Sequence, residues 1–355
     1  MKVNFKRLWF GKTVCGRQIY LDYLRVIATV FVIGVHTVSL AATMVEPESR
    51  SYFILEFFNF MFLSCNQLFI MISGALLLPV QGEGAITFFR KRFSKVAIPL
   101  VVYYILYVCA KEGIEWIYPN HWMPLFQRIL LGAPEEAPHF WLVYVILWLY
   151  VLTPFLRWIV SHIPNNILSG VIVVIFIVCA IDTYLPLFGV SSPFGIVVDS
   201  FAGVFLLGYY LSGKCSRKTE SFLIACGIGS MLLTGVLIVT FDDYKNFIFL
   251  NAPTMIFFTA SIFLRIKRLF ARTAVEPALI RIIGKYSYSI LLIHWGVLHF
   301  VVKQKLHVDV LSGGIWGGCI LMMVLTLLIS MVGAMVLDHT ILKWLEAPFV
   351  RKKSL

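Results

Sequence analysis

The sequence predicts an all-α, polytopic membrane helical bundle of about ten transmembrane helices, with both termini cytoplasmic. Three observations carry this. Of 355 residues, 60% are hydrophobic and only 14% are charged, where soluble domains carry roughly 25% charged residues. Apolar runs of about 20 residues, the length of a membrane span, recur along the whole chain. The basic residues are also partitioned. With a cytoplasmic N-terminus, cytoplasmic segments hold 24 of the 30 Lys and Arg, and the opposite side holds 12 of the 18 acidic residues. That bias is the positive-inside rule. It also turns the net charge of +12 away from nucleic acid, since the cations lie in short clusters at membrane ends and form no basic groove.

The chain reads as one membrane-embedded domain over 1–355, with a basic cytoplasmic segment 1–21, a helical bundle 22–337 and a cytoplasmic tail 338–355. Spans are expected near 22–44, 53–78, 96–111, 139–160, 167–186, 195–212, 221–241, 246–265, 284–303 and 314–337. The third is short and the sixth contains Asp199. Ser39-Leu40-Ala41 imitates a signal-peptide cleavage site. The long basic segment before it, the span-length apolar run from Tyr23 to Met44, and Arg25 and His36 within that run favour an uncleaved first helix. The longest connection, from about 112 to 138, reads as a loop rich in Pro, Trp and Glu. Seven cysteines show no CxxC or Cys/His ligand spacing, so neither a metal site nor a disulfide framework is expected.

Ionisable groups at membrane depth are costly and are functional candidates. In the first span, His36 follows Arg25 by eleven residues, which is about 20° past three full turns. Asp22, Arg25, Thr29 and His36 therefore share one helix face. Arg25 has a plainer reading as an anchor at the membrane edge, and His36 one as a buried histidine satisfied by a neighbouring helix. His294 lies at a depth close to that of His36. The two either share a cavity or are unrelated polar contacts. Asn59, Ser64, Asn66, Gln67 and Ser73 interrupt the second span, and line a hydrophilic cavity or make interhelical hydrogen bonds. Arg90, Lys91, Arg92 and Lys95 are a topology determinant or a phosphate site. His139-Phe140-Trp141 reads in isolation as interface belt. Gly313, Gly314, Gly317 and Gly318 are expected to allow close helix packing. No P-loop, GxGxxG or GxSxG pattern occurs, and no Arg repeat of a voltage sensor.

Taken in order, these pieces resemble the bacterial acyltransferase-3 family of integral membrane acyltransferases, which acylate glycans of the cell envelope. Tyr20-Leu21-Asp22-Tyr23-Leu24-Arg25 with His36 is similar to the family's Arg-x10-His signature. Phe69-Ile70-Met71-Ile72-Ser73-Gly74 resembles its Phe-x-x-Ser-Gly segment. Lys91-Arg92-Phe93-Ser94-Lys95 with Pro99 resembles its Arg-Arg-x-x-Arg loop, with lysines at the outer positions. His139-Phe140-Trp141, Phe205-Leu206-Leu207-Gly208 and Ser289-Ile290-Leu291-Leu292-Ile293-His294 resemble three further segments.

The resemblance implies a plasma-membrane enzyme with no bound cofactor. Its co-substrate is acetyl-CoA or another acyl-CoA, and its acceptor is a hydroxyl on an envelope polysaccharide or lipid-linked sugar. His36, Arg25 and His294 are then the catalytic candidates. Asp22, Arg90, Lys91, Arg92, Lys95, Asn66, Gln67, Ser73, His139 and Trp141 are the substrate-binding candidates. Short loops favour an acetyl group. Two other classes stay open: a glycan exporter using the same polar path, and a non-catalytic partner of a glycan synthase.

Overall fold

A computed structural model describes residues 12–13, 18–79, 82–132, 135–190, 200–241, 244–248, 252–273 and 275–350. Its helices, in chain order, are α1 (Ile19–Ala42), α2 (Arg50–Leu63), α3 (Cys65–Leu77), α4 (Ala85–Glu112) and α5 (Trp122–Leu130). They continue with α6 (Trp141–His162), α7 (Asn165–Tyr184), α8 (Ser200–Gly213), α9 (Arg217–Thr240) and α10 (Lys245–Ile248). Last come α11 (Pro253–Phe270), α12 (Ala278–Gly296), α13 (Ile315–Leu337) and α14 (Lys343–Val350). Two π-helical stretches, Val297–Lys305 and Asp338–Leu342, extend α12 and join α13 to α14. Lys12–Thr13 pairs antiparallel with Val275–Glu276.

Helix occurs at every expected span, and among the described residues seven helices are long and apolar enough to cross a membrane. Aliphatic side chains such as Val174, Leu232, Val239, Ile320 and Val332 stay largely exposed on α7, α9 and α13. A continuous exposed apolar face of this kind needs a lipid solvent. The chain is an all-α, multi-pass membrane protein.

Five expectations change in detail. The helix of the third expected span, α4, begins at Ala85, not near 96, so the basic cluster is helical and not a loop; Lys and Arg are good helix formers where no breaker intervenes. The second span is divided at Ser64, whose hydroxyl donates to the Met61 carbonyl at 2.6 Å. The connection 112–138 holds helix α5, preceded by 3₁₀ turns. Helix continues past 337 to Val350, with no break at the expected tail boundary, while residues 351–355 and Asp199 lie outside the described residues. The glycine pairs do not pack helix on helix. Gly313 and Gly314 adopt φ of +80° and +84° to turn the chain into α13, a conformation that favours glycine. Gly318 sits against the Val310 carbonyl.

The chain divides into two compact units. The first comprises residues 1–79 and 156–287. In it α1 packs on α2 and α3, α3 on α8, and α9 on α11. Two glycines set the α3–α8 contact: a Cβ at Gly74 would lie 1.9 Å from the Phe205 carbonyl oxygen, and one at Gly208 would lie 2.1 Å from that of Met71. Phe60, Tyr244, Met255 and Phe258 belong to one apolar core of this unit. At the other end of α9, buried Glu220 accepts hydrogen bonds from Lys267 at 3.0 Å and Arg268 at 3.1 Å, joining α9 to α11.

The second unit comprises residues 80–155 and 288–355. Its core gathers Tyr103, Tyr104, Tyr107, Phe140, Val143 and Leu292. Arg128 of α5 reaches Glu112 at 2.7 Å and Glu136 at 3.0 Å, and lies 4.4 Å over the Trp116 ring. These ties fasten the 112–138 connection. The hydrogen bond to Glu112 leads the causes that hold the Arg128 guanidinium more firmly protonated than usual.

Candidate functional site

Helix α1 carries the polar stripe of the first unit. Asp22 is buried and Arg25 is a quarter exposed, and the two form an ion pair one turn apart. Removing a carboxylate from water is expensive unless a cation and hydrogen bonds repay it, and Arg25 provides both. Tyr23 stacks on Phe270 at 3.8 Å and Tyr20 meets Phe263 edge-on at 6.0 Å, so aromatic contacts fix this end of α1 against α11. Thr29 donates to the Arg25 carbonyl at 2.8 Å, and its hydroxyl serves its own helix. His36 is half-buried. One turn further along, Ser39 donates to the Asn59 side-chain carbonyl at 3.2 Å. On α3, Asn66 is half-buried and Gln67 is buried, while Ser73 donates to the Phe69 carbonyl at 2.9 Å.

His139 and His294 come together in the second unit. Their ring centroids lie 5.0 Å apart, and both side chains are buried. Each is oriented by a backbone carbonyl. His294 Nδ1 lies 2.7 Å from Leu291 O, and His139 Nε2 lies 3.1 Å from Leu292 O. A carbonyl only accepts, so in the neutral rings these nitrogens carry the protons, leaving His294 Nε2 and His139 Nδ1 as bases. Tyr107 completes the group. Its hydroxyl donates to Leu292 O at 3.0 Å and accepts from the Gly296 N–H at 2.8 Å. Those are the two groups an α-helix would join directly, and the chain turns π-helical at the next residue. π segments in membrane and soluble helices often mark functional places.

This burial corrects the belt reading of His139-Phe140: Phe140 packs edge-on to Tyr107 at 5.6 Å, in the core. Trp141 is half-buried. His36 belongs to the first unit and His294 to the second. Of the basic cluster, Arg90, Lys91 and Lys95 are exposed and Arg92 is half-buried. Lys91 pairs with Glu83 at 3.1 Å and Lys95 with Glu346, whereas the buried Arg92 Nε has no hydrogen-bond partner. Among the described residues, no three His, Cys, Asp or Glu side chains gather as metal ligands would.

The sequence profile of the acyltransferase-3 family, described as an acyltransferase domain, matches residues 18–337. The chain belongs to the acyltransferase-3 family. It is a membrane acyltransferase. No curated protein and no solved structure matches it.

The match takes in both polar groups of this acyltransferase: the α1 stripe with His36, and the His139–His294 pair. Chemically the first offers an anion-binding guanidinium and an imidazole on one helix face, and the second offers two bases fixed by backbone carbonyls. Two features lay outside the residues singled out from sequence. Tyr107 is one of many aromatics in a span, and nothing local marks it. Glu56 is a carboxylate inside the second expected span, which is itself a signal.

Tyr107→Phe should lower the stability of the acyltransferase, because it leaves the part-buried Gly296 N–H without its acceptor and takes one of two donors, the other being His139 Nε2, from the buried Leu292 carbonyl. Leaving such groups unsatisfied costs about 1–3 kcal/mol. The expected result is a lower thermal unfolding midpoint in detergent, and an unchanged midpoint would show that another group replaces the hydroxyl.

Proposed function

We propose that this acyltransferase moves an acyl group, acetyl in the simplest case, from cytoplasmic acyl-CoA to a hydroxyl of an envelope polysaccharide or lipid-linked sugar. The membrane is the bacterial plasma membrane in this reading. The observation that supports it most is the α1 stripe: the Asp22–Arg25 ion pair, with half-buried His36 about three turns along the same face. Arg25, oriented by Asp22, serves as an anion contact. His36 serves as general base.

In the step itself, the acceptor hydroxyl oxygen attacks the thioester carbonyl carbon while its proton passes to the His36 imidazole. The new C–O ester bond forms and the C–S bond breaks. The CoA thiolate then takes the proton back from the imidazolium and leaves as free thiol. Arg90, Lys91, Arg92 and Lys95 are assigned the phosphates of the donor. Arg92 is the first choice among them, since carboxylates already pair with Lys91 and Lys95. His139 and His294 are assigned a proton-handling role. Asn66, Gln67, Ser73 and Trp141 are assigned contacts to bound substrate.

Free thiol decides the matter. Purified protein in proteoliposomes, given acetyl-CoA and an envelope-polysaccharide preparation, should release CoA thiol and yield acetyl esters detectable by mass. Movement of glycan across the vesicle membrane without thiol release would make the protein an exporter. Activity only in the presence of a glycan synthase would make it a partner protein.

A further inference from the structure

Resting on the acyl-transfer reading above, we infer that Tyr52, Glu56 and Asn59 on α2, with Ser39 on α1, form the subsite that holds the hydroxyl groups of the acceptor sugar. Positions 52, 56 and 59 fall within about 60° of one another around a helix, so the three side chains share a face. That face meets α1, where Ser39 donates to Asn59 at 3.2 Å. His36 lies one turn from Ser39, about 4.5 Å along the axis, on the side toward Arg25. The polar line runs from the Arg25 end of the first unit past His36 and out toward Tyr52.

Glu56 is the unusual member. Its residue is 4% exposed, and its polar neighbours are the side chains of Asn59, Lys245 and Tyr244. Asn59 Nδ2 approaches at 3.4 Å, near the outer limit for a hydrogen bond, and Lys245 Nζ stands at 3.7 Å. The lysine side chain is largely exposed, and such pairs contribute little. A carboxylate offers about four acceptor positions, and a buried one is costly unless donors fill them. The Tyr244 hydroxyl lies 3.3 Å from that of Tyr52. Its proton is held above the usual tyrosine range, by burial first, then by the hydrogen bond with Tyr52 and by the charge of and hydrogen bond to Glu56.

Donors in quantity are what a sugar carries, and carboxylate, carboxamide and tyrosine are the acceptors and donors that pair with neighbouring hydroxyls. The negative charge of Glu56 disfavours the polyanionic acyl-CoA at this end. Ser39, Tyr52 and Asn59 are half-buried, so a ligand can reach them. A sugar hydrogen-bonded to Asn59 and Glu56 would bring an adjacent hydroxyl toward His36.

The test measures thiol release by wild type, Glu56→Gln, Asn59→Ala and Tyr52→Phe, titrating acetyl-CoA and a delipidated envelope-polysaccharide preparation separately. The expected result is that the half-saturating polysaccharide concentration rises about tenfold or more for Glu56→Gln, equivalent to about 1.4 kcal/mol. It should rise less for the other two. The half-saturating acetyl-CoA concentration should stay at its wild-type value, which a general loss of folding would not allow. If Glu56→Gln does not fold, the same acceptor-specific rise in Asn59→Ala and Tyr52→Phe carries the subsite. Unchanged acceptor dependence in the variants that fold overturns it. Absence of thiol release by wild type itself brings down the acyl-transfer reading, and the subsite with it.

Discussion

His36→Ala is expected to reduce acyl transfer about 100-fold or more, the usual worth of a positioned general base. The substitution removes the only imidazole on the α1 stripe. The protein should remain folded, because His36 is half-buried and the face is held elsewhere: by the Asp22–Arg25 pair, the Tyr23–Phe270 stack and the Ser39–Asn59 hydrogen bond. Purified variant should therefore elute as wild type does from a sizing column. Its half-saturating acetyl-CoA concentration should change little, since Arg25 is intact, so the loss appears in the maximal rate. Transfer at near wild-type rate by folded His36→Ala protein would remove the imidazole from the reaction and leave the stripe a binding feature only.

Substitution at the α3–α8 contact should have the largest effect on folding. Gly74→Ala places a methyl 1.9 Å from a backbone oxygen, and Gly208→Val adds branched bulk where a Cβ alone would be 2.1 Å from another. Backbone on both sides cannot move as a side-chain tip can, so the two helices must part by more than an ångström. Overpacking of interiors costs about 1–3 kcal/mol and sometimes more. The reciprocal arrangement, each glycine seated on the other helix, puts these variants at the upper end. Little monodisperse protein should be recovered for Gly208→Val, and Gly74→Ala should melt at a markedly lower temperature. Gly170→Ala and Gly229→Ala are the controls, being helical glycines with nothing within 4 Å of an added Cβ. They should be neutral or slightly stabilising, since glycine inside a helix costs about 0.5–1 kcal/mol relative to alanine. Equal behaviour of all four variants would mean that α3 and α8 are not in close contact.

The membrane class and the helix positions were legible because span length and apolar content are local properties. The Asp22–Arg25 pair was legible for the same reason: an i,i+3 spacing on one helix determines who meets whom. The start of α4 was not legible because a run of charge marks the end of the apolar stretch and not the end of the helix. Arg90, Lys91 and Arg92 are good helix formers, and a helix can run on beyond the hydrocarbon. The continuation to Val350 was missed in the same way, through Asp338, His339 and Lys343. Tertiary partners were out of reach. Phe69–Gly74 and Phe205–Gly208 each stood out as segments, but nothing in either says that the two glycines face each other. His139 looked like a belt residue because its neighbours are aromatic. Its place beside His294 depends on Tyr107 and Leu292, more than 180 positions apart in sequence.

Tyr107 also bears on motion. A helix that completes its ladder through another helix's phenol cannot slide or rotate there while keeping its hydrogen bonds, because any such movement breaks two contacts at once. The segment around Leu292 and Gly296 is thus a fixed post. Any shift of α12 against α4 at this level must first break both of those hydrogen bonds.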